Sequence, residues 1–201
     1  MDKSALAASL SFWACSGLLP RLFFRKDGRL NLNWWLTALP LLTPPWLLVL
    51  AAFGVYHAET PKGWELGLGV VSTVLSSIAL GLLFFTLGTH RVPISLWHQD
   101  NDAPTHIVTY GAYGKIRHPF YSSFLLSMIA VTVLIPHWIT GLNLLYGIWR
   151  LNSTAAKEEA KLSASSFGAE YRAYITRTGR FVPRPGAARA PRPEPAVAER
   201  V

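Results

Sequence analysis

The stretch PFYSSFLLSMIAVTVLIPHWITGLNLLYGIW, residues 119–149, carries no charged side chain. Roughly 20 consecutive apolar residues cross the hydrocarbon core of a bilayer, so this run is too long for one crossing and tight for two. Pro136 and His137 divide it into apolar helices of about 17 and 13 residues, because proline cannot continue a helix. The second helix can lengthen into the polar sequence beyond Arg150. The stretch therefore reads as a tight helical hairpin with both ends on one side of a membrane.

Upstream of the hairpin the same pattern recurs. Residues 32–56 and 66–89 carry no charged side chain and are long enough to span. Asn31 or Asn33 can open the first of these, and Pro40, Pro44 and Pro45 should kink or break it. Residues 4–19 form a shorter apolar stretch. It reads as a span and not a cleaved signal, because Asp2 stands beside Lys3 and bulky Leu18-Leu19-Pro20 occupies the place of a small-residue cleavage site. Composition agrees: 15% of residues are charged, against about a quarter in soluble proteins.

The net charge of +8 raises the question of nucleic acid. The positive residues lie between and after the apolar segments, where they set topology or attract anionic lipid; no nucleic-acid partner is expected. Arg21, Arg25, Lys26 and Arg29 form one basic loop with a single acid, Asp27, 90–118 holds Arg91, Lys115 and Arg117, and the C-terminal part has an excess of basic residues. The segment 57–63 is nearly neutral. Five spans, with the amino terminus outside and the carboxyl terminus in the cytoplasm, satisfy every loop. Cys15 is the only cysteine, which leaves no disulfide framework and no cysteine-rich metal site; no metal is expected. The chain divides into 1–104 with three spans, 105–183 with the hairpin, and a proline- and alanine-rich tail, 184–201, which cannot bury a core.

Two constellations can carry chemistry. In the first, Gly111, Tyr113, Gly114, Arg117, His118 and Tyr121 fall within eleven positions. Glycines let backbone approach a ligand. A helix opening at Pro119 aims free N–H groups at an anion, and Arg117 and His118 add donors. The plain alternative is a positive-inside arginine, a helix-starting proline and interfacial tyrosines. The second constellation is Glu158-Glu159 on a charged helical stretch spanning 150–174. Two adjacent acids on a basic flank call for a positive partner, which a ligand bearing an ammonium and a sulfonium would supply. Alternatively, Glu158 and Lys161 are an ordinary pair on a solvated helix face.

The motif Arg117-His-Pro-Phe-Tyr121 is preceded by Ile107-Val108-Thr109 and Gly111-x-Tyr113. It is followed by Glu158-Glu159-x-x-Leu162, Phe167-Gly168-x-x-Tyr171-x-x-Tyr174 and Arg177-Thr-x-Arg180-Phe-x-Pro183. This order resembles the isoprenylcysteine carboxyl methyltransferase family, whose wider group includes membrane phospholipid N-methyltransferases. The likeness covers about 105–183; the earlier spans match in hydrophobicity alone. It implies an all-α integral membrane enzyme of about five transmembrane helices. Its C-terminal cytoplasmic helix would cover a site for S-adenosylmethionine, on the cytoplasmic side. Ile107, Val108, Gly111 and Tyr113 would line the nucleoside, Arg117, His118, Pro119 and Tyr121 would hold the cofactor, and Glu158 and Glu159 its amino-acid end. The acceptor would be a lipophilic or lipid-linked molecule entering from the membrane.

The chain departs from the family pattern at two places. Ser123 stands where glycine is common, and Ala155 stands where isoprenylcysteine enzymes place a substrate arginine. Arg150 is the nearest replacement for that charge, at a different depth. If the acceptor is an amine, its proton must be taken, and His98, His106 and Glu158 are candidates. Two rival readings exist. Membrane sterol reductases share a similar arginine–histidine–proline–x–tyrosine region and use NADPH, although its phosphates would sit badly beside Glu158-Glu159. A non-catalytic membrane protein would bind neither cofactor.

Overall fold

A computed structural model describes residues 2–18, 23–24, 28–55, 60, 63–89 and 107–185. His98, His106, Arg91, most of the basic loop (Arg21, Arg25 and Lys26) and the tail from 186 lie outside the described residues. Within them the protein is all-helical: α1 (Lys3–Gly17), α2 (Leu32–Ala52), α3 (Glu65–Thr89), α4 (Pro119–Leu134), α5 (Trp138–Ser163) and α6 (Gly168–Arg177), with a 3₁₀ turn at Gly111–Gly114. Two helices, α2 and α3, are long and apolar enough to cross a membrane.

Local sequence sets the helix starts. Asp2 accepts the Ala5 N–H at 2.8 Å to cap α1, and Asn31 accepts the Trp34 N–H at 3.3 Å to cap α2. Pro119 occupies the first turn of α4, where its missing N–H costs no hydrogen bond. The hairpin between α4 and α5 turns through Ile135, Pro136 and His137, as the charge-free run predicts. His137 and Thr140 form a reciprocal capping box at the start of α5, and Thr140 Oγ1 also donates to the Ile135 carbonyl at 2.8 Å.

Helix α3 packs on α1 and α4 through small side chains: Gly69, Ser72, Ser76 and Ala79 are all buried on it. Small residues allow close helix approach and let hydroxyls bond across the interface. The Ser9 and Ser76 hydroxyls lie 2.8 Å apart, and Ser72 donates to the Ala130 carbonyl at 2.9 Å. Phe12, Trp13 and Phe124 close this interface with edge-to-face ring contacts.

Contrary to the expectation of a break, α2 is unbroken through its three prolines. The reason lies on α5. Pro40 has no N–H for the Leu36 carbonyl, and the Tyr146 hydroxyl donates to that carbonyl at 2.9 Å. Pro44 likewise leaves the Pro40 carbonyl without its helical donor, and Asn143 Nδ2 donates to it at 3.1 Å. Asn143 and Tyr146 stand three positions apart, so both project from one face of α5. Tyr146→Phe should therefore cost roughly 0.5–1.5 kcal/mol, the range for a lost hydrogen bond. Unfolding of purified variants in detergent measures this. Pro40→Ala in the same background should recover most of the loss, because it returns an N–H to Leu36.

The polar stretch beyond Arg150 is not one helix to residue 174. It breaks at 164–167, where the Ser165 hydroxyl donates to the Leu162 carbonyl at 2.7 Å and accepts the Phe167 N–H at 3.2 Å. These local bonds replace helical ones. The break turns α6 back towards the start of α4.

Candidate functional site

Glu158 and Glu159 lie near the C-terminus of α5, where the helix dipole disfavours acids. Cations must compensate, and the chain brings them from two distant segments. Arg117 Nε donates to Glu159 Oε1 at 2.8 Å. Arg180 donates through Nε to Glu159 Oε1 at 3.1 Å and through Nη2 to Oε2 at 2.5 Å. His118 Nε2 lies 3.4 Å from Glu159 Oε1, an electrostatic contact that lacks hydrogen-bond alignment.

Burial works against ionisation of Glu159. It is outweighed by the contacts from His118, Arg180 and Arg117 and by the Arg117 charge, so the carboxyl is held well below the usual carboxylate range. Hydrogen bonding to Glu159 in turn raises the Arg180 pKa above its ordinary value.

Glu158 faces a different set of groups. Tyr121 donates its hydroxyl to Glu158 Oε1 at 2.7 Å, and His118 Nδ1 lies 3.5 Å from Oε2. The His118 and Tyr121 rings are stacked, with centroids 5.3 Å apart and planes within 2°. One buried imidazole thus stands between two carboxylates, and its Nε2 retains hydrogen-bonding capacity.

The backbone that holds these groups is a short parallel pairing of 115–118 with 179–180. Arg117 N–H donates to the Gly179 carbonyl at 2.8 Å, His118 N–H to the Arg180 carbonyl at 3.0 Å, and Gly179 N–H to the Lys115 carbonyl at 3.2 Å. Arg117 also donates through Nη1 to the Ile175 carbonyl at 3.2 Å and to the Thr178 carbonyl. It therefore satisfies the C-terminal end of α6 while neutralising Glu159. Ser122 Oγ donates to the Phe181 carbonyl at 2.7 Å.

The structure brings together Arg117, His118, Tyr121, Glu158 and Glu159, with Pro119 starting the helix that aims them. Tyr113 joins from the side: its carbonyl accepts the Tyr174 hydroxyl at 2.6 Å, and burial together with the Glu158 charge pushes its own pKa up to about 12. Val108 is buried and Ile107 partly so. Gly111 adopts φ +58°, and a Cβ there would strike the Thr89 side chain. The Ala112 N–H donates to Thr89 Oγ1 at 3.3 Å, docking this turn on the end of α3.

Arg150 is not part of the cluster. It bonds to α2, and it stands eight positions before Glu158 on α5, about 12 Å at the rise of a helix. Arg180 is the participant that sequence reasoning missed. It stood in a quoted motif, but nothing in the spacing showed that it would reach back to Glu159. The positive partner expected from a ligand is, for Glu159, supplied by the chain itself. Among the described residues no group of three or more histidine, cysteine, aspartate or glutamate side chains is placed to hold a metal. No protein-family model, curated protein or solved structure matches the chain.

Proposed function

We propose that this protein is a multi-pass membrane methyltransferase using S-adenosylmethionine, with a lipophilic acceptor. One observation carries the reading. Two segments 37 to 42 positions apart, both quoted for the family resemblance, meet in a single buried cluster of both charge signs at the end of apolar helices. A zwitterionic amino-acid group fits such a cluster. Its carboxylate suits Arg180, the more accessible guanidinium at 32% exposure, and the hydrogen-bonding capacity of His118 Nε2. Its ammonium suits Glu158, since Glu159 already carries Arg117 and Arg180.

The membrane part of the reading rests on the helix surfaces. Val70, Val71, Val74, Ile78, Phe84 and Phe85 of α3 are all exposed, and exposed apolar side chains gathered on one helix mark a membrane or protein contact. With α1, α4 and the apolar half of α5 as further crossings, five spans place the acid cluster at the cytoplasmic face.

When bound, the sulfonium cofactor supplies an electrophilic methyl carbon. The protein's own contribution is placement and exclusion of water. Arg117 and Arg180 hold Glu159 ionised, Tyr121 and Glu158 fix the imidazole of His118, and Tyr113 and Tyr174 close one side. If the acceptor arrives as an ammonium, Glu158 is the carboxylate within this cluster best placed to take its proton.

Calorimetric titration of purified protein with S-adenosylhomocysteine and, separately, NADPH tests the proposal. Binding of the first alone is expected, and His118→Ala should weaken it about tenfold or more, as expected for loss of a bond to a charged group. Binding of NADPH in its place, or of neither, overturns it.

A further inference from the structure

Arg150 is 8% exposed, yet every partner it has among the described residues is neutral. Nε donates to Thr37 Oγ1 at 3.1 Å, and Nη2 donates to the Asn33 carbonyl at 3.3 Å and to Asn33 Oδ1 at 2.5 Å. No carboxylate pairs with it among the described residues, in contrast to Arg117 and Arg180. Buried charges are ordinarily paired, because removing a charge from water is costly.

The surroundings make the missing anion more conspicuous. Asn33 and Thr37 lie on the first two turns of α2, and a helix N-terminus carries a partial positive charge. The guanidinium is therefore packed against the positive end of a helix. The basic loop of residues 21–29 precedes that end in the chain. Arg150 Nη1 makes no hydrogen bond among the described residues, and exposed Asn33 has an amide donor beside it. Trp35 and Trp149 are exposed next to these residues, at 38% and 61%, and tryptophan concentrates at the headgroup level of bilayers.

We infer that Arg150, Asn33 and the start of α2 form a binding site for the phosphate headgroup of an anionic phospholipid. The inference rests on the membrane part of the reading above and not on methyl transfer. The anion held here is also not the group that would accept a methyl, since Arg150 lies about 12 Å along α5 from the acid cluster. The phosphate charge, in contact with Nη1, would neutralise both the buried guanidinium and the positive end of the α2 dipole.

The test uses the full chain in nanodiscs of phosphatidylcholine with increasing fractions of phosphatidic acid, read by thermal unfolding and by native mass spectrometry of retained lipid. Phosphatidic acid should raise the unfolding midpoint of the wild type, whereas phosphatidylcholine alone and inorganic phosphate should not. Arg150→Gln should retain phosphatidic acid about 10- to 100-fold more weakly, as expected for a lost charged hydrogen bond. Arg150→Lys should keep part of it. Should Arg150→Gln fail to fold, the wild-type comparison alone decides. Equal stabilisation by phosphatidylcholine, or by inorganic phosphate, overturns the assignment. Vesicle flotation and S-adenosylhomocysteine binding on the same preparation report separately on the membrane and methyltransferase readings.

Discussion

A Glu159→Gln variant is expected to lose roughly 3 kcal/mol of stability, the lower end for breaking a buried ion pair by removing one partner. The lower end applies because Arg180 is about one-third exposed and can recover some water, whereas Arg117 is 9% exposed and cannot. Glu170→Gln, on the exposed face of α6, should stay within about 0.5 kcal/mol. Glu159→Gln combined with Arg180→Gln should recover part of the loss by removing one stranded cation. Denaturant unfolding in detergent measures all three.

The same residue sets an acid response. Because the folded pKa of Glu159 is depressed, its contribution is present in full above the unfolded glutamate value, about 4.3. It declines as pH falls below that towards the folded value. Wild type should therefore lose stability in acid more steeply than Glu159→Gln, and the two curves should converge at low pH. Parallel curves would show that Glu159 is not the ionised partner of Arg117 and Arg180.

The second large effect is expected at Gly179. A Cβ at this position would overlap the Val182 carbonyl oxygen and approach the Arg184 nitrogen to 3.2 Å. These are backbone atoms, so the turn after Gly179 must shift as a whole. Gly179→Ala should cost roughly 3 kcal/mol, in the upper part of the overpacking range, because the same residue pairs with Lys115 and Arg117. Arg180 would move with it and release Glu159, so binding of S-adenosylhomocysteine should fall together with stability. Gly67→Ala is the control. Nothing lies within 4 Å of a Cβ there, and alanine favours a helix. Full stability and binding in Gly179→Ala would show that the 179–182 turn does not hold the cluster.

These effects divide along the line between what local sequence determines and what it does not. The hairpin was legible because absence of charge over 119–149 and one Pro136 are local signals. The same holds for Asn31 as the α2 cap. The integrity of α2 was not legible, since the donors that satisfy its proline-freed carbonyls come from residues 103 and 110 positions away. The break before α6 was also hidden: Ser165 is a neutral helix residue until its hydroxyl finds local backbone partners. At the site, the motifs named most of the residues that meet. They could not reveal that Glu159 would be neutralised by Arg117 and Arg180 of the same chain, because ion pairing across 42 positions leaves no periodic trace.

The pairing of 115–118 with 179–180 also has a consequence in time. A chain is synthesised from its amino terminus at roughly 5–20 residues per second, and Arg180 follows Glu159 by 21 positions. During the one to four seconds or so that this takes, every apolar helix already exists, while Glu159 has Arg117 as its sole guanidinium partner. The acid cluster is thus the last part of the described molecule to close. A nascent chain halted before Gly179 would carry α1 to α6 but no finished site, so formation of the helices and acquisition of the site are separate events in the birth of the protein.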